Sequence, residues 1–165
     1  MSKALHVADD AITLIGEVTV TVRDKRGRFR SRRVYRNMLM NFARSAFAQW
    51  AAGQAANWST AVGAIVPPSY IALGNGSGTI TPNDTVLFAE VASTRKACSY
   101  RQVYQQYYAL YNASYQTSDP TGTFTEAGLF DAAVGGNLWA HVAINVTKNP
   151  GETLTVQWKI FFKGN

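Results

Sequence analysis

Cysteine is nearly missing from this sequence. Cys98 is the only one in 165 residues, which excludes an internal disulfide and any multi-cysteine metal site. It reads as a small apolar residue of the interior rather than a reactive thiol. Charge is scarce as well, at 16% of residues, against about 25% in ordinary soluble domains. A monomer so poor in charge has trouble covering its surface, so part of its apolar area is expected to be buried in an assembly. No run approaches the roughly 18 apolar residues that a membrane span requires. The first residues lack an apolar stretch followed by a small-residue cleavage site, so no secretory leader is expected.

Groups that could do chemistry are equally sparse. His6 and His141 are the only histidines, and neither stands in an H-x-x-x-H or H-E-x-x-H spacing, so no metal centre is expected. Asp84, Glu90, Glu126, Asp131 and Glu152 are acids that nothing in the sequence pairs. Gly74-Asn75-Gly76-Ser77-Gly78 follows an apolar run but lacks the Lys of a P-loop, and Thr79 breaks a G-x-G-x-x-G match. It reads as a tight turn. No nucleophile, base and orienting group come together. The expectation is a protein without catalytic activity and without a cofactor.

What is abundant points to contacts. Hydrophobic residues make up 47%, with eight Tyr and four Trp, types enriched at protein interfaces. The length suits one domain. The net charge of +6 is local: between Arg23 and Arg36 eight basic residues stand against one acid, Asp24, leaving −1 for the rest of the chain.

Period-two alternation dominates. Residues 1–11 have no periodicity and read as a loose arm, followed by a single domain over 12–165. Val18, Val20 and Val22 alternate with Thr19 and Thr21 in a first strand. Asp24 to Gly27 supplies turn chemistry, and Arg28 to Tyr35 returns, so residues 12–36 form a hairpin. Alternation sets Arg28, Arg30 and Arg32 in a row on one face of that strand. Three readings stay open: a solvated edge protected by charge, a ribbon that meets an acidic partner surface, or one that meets DNA phosphates. Asn37 is the expected N-cap of a helix over 38–52 whose apolar stripe covers a sheet, with Gly53 closing it. A loop is expected over 54–68.

The sandwich strands are expected over 70–162. Tyr70–Leu73 is a short buried strand, Leu87–Val91 a short helix or extended segment, and Arg95–Tyr111 one long strand. Phe124–Phe130 reads as a strand interrupted at Gly128. Leu138–Val146 and Leu154–Phe162 are strands around an Asn149-Pro150-Gly151-Glu152 turn. Trp158, in phase with Leu154, Val156 and Ile160, is expected in the core beneath the helix. Strand following strand gives the fold class: mainly β, an antiparallel β-sandwich, jelly-roll-like, with an N-terminal β-hairpin and one α-helix.

The order of several short motifs carries a resemblance. They are Asn37-Met38-Leu39-Met40-Asn41, Ile71-Ala72-Leu73-Gly74-Asn75-Gly76, Thr81-Pro82-Asn83-Asp84-Thr85 with Glu90, Thr125-Glu126-Ala127-Gly128-Leu129-Phe130, and Gly151-Glu152-Thr153-Leu154-Thr155-Val156-Gln157-Trp158. Together they resemble small structural proteins of tailed-bacteriophage virions, over roughly residues 12–162. Asn75 and Ser77 depart from the usual Thr, Met38 and Met40 replace Leu and Thr, and the basic stretch from Arg26 to Arg36 is heavier than the pattern. The resemblance implies a virion component on the capsid exterior or the tail, assembled in the host cytoplasm. Foremost among these is a capsid decoration (cement) protein, then a tail, baseplate or fibre-adaptor subunit; a basic nucleic-acid-binding protein is the reading from another class. Its partners would be the major capsid protein or tail subunits and further copies of itself, as dimer or trimer, with DNA less favoured and no membrane. Arg26, Arg28, Arg30, Arg32, Arg33 and Arg36 are the candidate partner-contact residues. The motif acids are expected to serve the fold: Asp84 closing a turn, Glu126 beside a close backbone approach at Gly128, and Arg95 or Arg101 pairing with Glu90 or Glu126.

Overall fold

A computed structural model describes residues 13–51, 66–104 and 108–163. The arm expected over 1–11, Gly53, and most of the loop expected over 54–68 lie outside the described residues. Nine strands and one helix follow in the order β1 (Thr13–Arg23), β2 (Phe29–Leu39), α1 (Asn41–Ala51), β3 (Tyr70–Gly74), β4 (Lys96–Ala97), β5 (Tyr100–Tyr104), β6 (Tyr108–Tyr115), β7 (Gly122–Phe130), β8 (Leu138–Lys148) and β9 (Thr153–Lys163). Every pairing is antiparallel, in the spatial order β4-β3-β7-β8-β2-β1-β9-β6-β5. The fold is mainly β, as its alternation requires.

The long sheet folds over on itself, with β2 as the corner. Residues 29–37 of β2 pair with β1 in the first layer, while Met38 and Leu39 pair with His141 and Ala140 of β8 in the second. Between the layers lie Val18, Val20 and Val22 from β1, and Leu154, Val156, Trp158 and Ile160 from β9. Opposite them are Val142, Ile144 and Val146 from β8 and Ile71 and Leu73 from β3, all buried in one cluster. The Tyr115 hydroxyl donates to the Ile71 carbonyl at 2.9 Å, tying β6 across the core to β3.

Glycine and asparagine turns behave as their chemistry demands. Gly27 and Gly151 have φ of 75° and 80°, left-handed values that a side chain resists. Asp24 Oδ1 accepts the Arg26 and Arg28 amides, closing the first hairpin.

Four expectations are corrected. β2 does not stop at Tyr35 but runs to Leu39, because Leu39 is buried and extends the alternation into β8. Asn37 therefore caps nothing. It sits opposite Gly16, whose lack of a side chain leaves room for it, and the helix begins at Asn41, where the Met40 carbonyl accepts the Arg44 amide at 3.1 Å. The strand expected over Arg95–Tyr111 folds back into β5 and β6, with Tyr104 opposite Tyr108. β7 runs unbroken through Gly128; its irregularities fall between Phe124 and Glu126 and between Leu129 and Phe130. The helix α1 leans on β8 and the end of β9. Phe42 and Phe47 meet Trp139 edge-on at 5.5 and 5.7 Å, and Phe47 meets Phe162 at 5.4 Å. Trp158 is fully buried, as its phase dictates.

Candidate functional site

The segment between β3 and β4 folds over the outer face of the second layer and creates a smaller core there. Met40, Ala72, Leu87, Phe130 and Leu138 form it. Leu87–Val91 is not helical; it bends at Phe88 and Ala89, and Glu90 bridges to Gly74. Beside this core lies a buried polar cluster that spacing alone did not reveal. His141, fully buried, holds Asp84 Oδ2 at 3.0 Å through Nδ1 and Glu126 Oε2 at 2.9 Å through Nε2.

Glu126 does more than face the ring. Its Oε1 accepts the amides of Gly76 and Ala89, at 3.1 and 2.7 Å, and its Oε2 accepts that of Phe88 at 2.9 Å. The carboxylate thus gathers two separate stretches of the covering segment. Thr125, set out of register by the irregularity in β7, donates its hydroxyl to the Gly76 carbonyl at 2.5 Å. Asp84 accepts the Thr81 amide and hydroxyl, the turn closure expected of it. Burial pushes the Asp84 carboxyl up, but the Thr81 hydroxyl and amide and the His141 ring outweigh this and hold it below the ordinary 3.8.

The glycines of the loop make room for that carboxylate. A Cβ on Gly76 would lie 2.6 Å from Glu126 Oε1 and 2.7 Å from the Ala89 nitrogen. The Ala89 nitrogen is backbone and yields little. Gly76→Ala is therefore expected to cost about 1–3 kcal/mol, as overpacking does. Gly78→Ala meets only the Phe88 ring, at 3.0 Å, and should cost much less; urea unfolding of the two variants measures the contrast.

Asp119 adds to the acid sensitivity. Burial raises it, but Lys96, the Gln116 amide and the charge of Lys148 bring it below 3.8. A carboxyl whose folded pKa lies below its unfolded one stabilises above the unfolded value and loses that contribution as pH falls through the folded one. Unfolding free energy should accordingly hold level down to near pH 4 and drop below it. An Asp84→Asn, Asp119→Asn double variant should show a shallower drop in the same titration.

Every group of this cluster is spent inside the fold. Among the described residues no set of three or more His, Cys, Asp or Glu side chains is arranged to hold a metal ion. Glu90 and Arg95 form a separate pair at 2.5 Å, with Arg95 also donating to the Gly135 carbonyl and stacking on Phe130.

The surface candidates fall on the first hairpin. Arg28 Nε pairs with Asp24 at 2.8 Å, and Arg30 lies 3.8 Å from Glu152. With Arg26 they ring a hollow of about 420 Å³ at the hairpin tip. The expected single row is broken: the register shifts between Val22 and Arg23, so Arg32 instead lies opposite Thr21, lining a second hollow with Phe29, Thr155 and Gln157. Arg33 lies opposite Val20 on the inward-facing side and donates to the Asn145 carbonyl of β8 at 2.7 Å. Arg36, opposite Glu17, lines a cleft of about 660 Å³ shared with Arg44. Between these cations, Phe29, Val34 and Met38 are 59%, 53% and 37% exposed. Set against protein-family models, curated proteins and solved structures, the chain matches none.

Proposed function

We propose that this chain is a structural protein of a bacteriophage virion, a capsid decoration protein that attaches to shell subunits through the basic β2 ribbon. One observation carries the reading. The residues of the virion-protein motifs (Gly74, Gly76, Asp84, Glu126 and Gly128) are occupied in folding the covering segment onto the second layer. The feature in excess of that pattern, the arginine-rich β2, is left exposed with apolar side chains among its charges. An exposed surface that mixes arginine with aromatic and aliphatic groups has the make-up of a protein contact. Self-association as a dimer or trimer belongs to the same reading.

Replacing Arg28, Arg30 and Arg32 together with Ser tests it. The fold should survive, since solvated ion pairs at such exposure contribute little. Attachment to undecorated particles should weaken and lose most of its salt dependence, because screened attraction is removed. Unchanged occupancy at every salt concentration would mean that the arginines only guard an edge. Tight binding of the unaltered protein to duplex DNA at physiological salt would favour the nucleic-acid reading instead.

A further inference from the structure

One side of β2 has no strand partner along most of its length among the described residues. Among the described residues, positions 29–37 pair with β1 alone, and β8 joins only at Met38 and Leu39. The two strand edges then diverge, bridged by side chains: Arg33 donates to the Asn145 carbonyl, and the Tyr35 hydroxyl accepts the Asn145 amide at 3.2 Å. The main-chain groups over 29–37 that point away from β1 have no strand partner among the described residues, and Arg32, Val34 and Arg36 stand exposed on the face opposite to the bridging Arg33 and Tyr35. Such an edge is a template for an added strand.

The charge decides what can be added. A second copy pairing edge to edge would set arginine against arginine, and like charges directly opposite destabilise a strand pair. An acid opposite each cation reverses the sign. We infer that the open edge of β2 takes an extended acidic segment of a partner protein as an additional antiparallel strand, with acids opposite Arg32 and Arg36 and an apolar residue opposite Val34. This rests on reading β2 as the partner contact, and it adds how the contact is made: main-chain hydrogen bonds give the grip, and the arginines choose the sequence.

The probe is a fluorescein-labelled peptide, acetyl-Ser-Glu-Thr-Val-Thr-Glu-Ser-amide, titrated with the full chain and followed by anisotropy. Two further peptides of the same sequence carry N-methyl groups on alternate residues, one in each phase. The strand model expects the plain peptide to bind, and the phase that blocks the shared edge to bind about tenfold or more weaker, the effect of losing several backbone hydrogen bonds. The opposite phase should bind nearly as well. Arg32→Ser with Arg36→Ser should weaken the plain peptide and flatten its salt dependence. Equal binding of all three peptides would reduce the contact to charge alone and overturn the added strand, as would no binding by any of them. None of these arms involves a particle. Absence of the chain from virions would remove the virion reading while leaving this result standing, and the reverse holds too.

Discussion

His141→Ala should lower the unfolding free energy by about 3–5 kcal/mol, the range for opening a cavity in a core while stripping buried polar groups of a hydrogen-bond partner. The ring is fully buried between two carboxylates, at 3.0 and 2.9 Å. Deleting it takes away the one ring that Asp84 Oδ2 and Glu126 Oε2 both contact and leaves a cavity beside two partly or fully buried carboxyl groups. Glu126→Gln should be nearly as damaging, for a geometric reason. One carboxylate oxygen serves two amides and the other serves one amide and the ring, so an amide NH₂ in either place faces donors. Because the residues share one network, the double variant should cost less than the two single costs added together. The loss is also local: amides of Gly76, Phe88 and Ala89 should exchange with solvent faster in His141→Ala at conditions where the β-sandwich stays folded. Full protection at those three positions would show that the covering segment is held by its apolar contacts instead.

Trp158→Ala is the second large effect, expected to cost about 3–5 kcal/mol and to yield insoluble protein. Trp158 is fully buried, flanked in register by Val18 on β1 and Tyr111 on β6. It is the largest fully buried side chain of the described residues, and strands pinned on both sides cannot close over the void. Solubility after expression and urea unfolding of any recovered protein measure this. A soluble variant within about 1 kcal/mol of the parent, the range of ordinary substitutions, would mean that the layers collapse around the gap.

The two regions at stake in these variants differ in how far they could be read beforehand. β9 was plain, because Leu154, Val156, Trp158 and Ile160 alternate without a break and one face is buried throughout. The hairpin of β5 and β6 was hidden, since Gln105-Gln106-Tyr107 between them offers none of the usual turn residues. Asn37 misled because a good capping residue is also tolerated in a strand when a glycine lies opposite. The Asp84–His141–Glu126 cluster was invisible to spacing arguments: its members are 57 and 15 residues apart and meet only after β7 and β8 pair and the covering segment folds down. One signal was available. His141 stands in a strand where nearly every neighbour is apolar, so a polar partner for its ring is required. The arginine row failed for a different reason, as strict alternation does not survive the register shift beside Arg23.

On the function proposed above, this chain occupies many equivalent positions on a particle, held there by the exposed ribbon of β2. Quantifying it in purified virions of a phage whose genome carries this sequence, on a gel calibrated against the major capsid protein, tests that proposal most directly. The account predicts a band comparable in abundance to the shell subunit, lost after washing in high salt and restored by adding back the purified protein at low salt. A trace band, at the few copies expected of a baseplate or fibre adaptor, would contradict the decoration role. No band at all would contradict the virion reading as a whole.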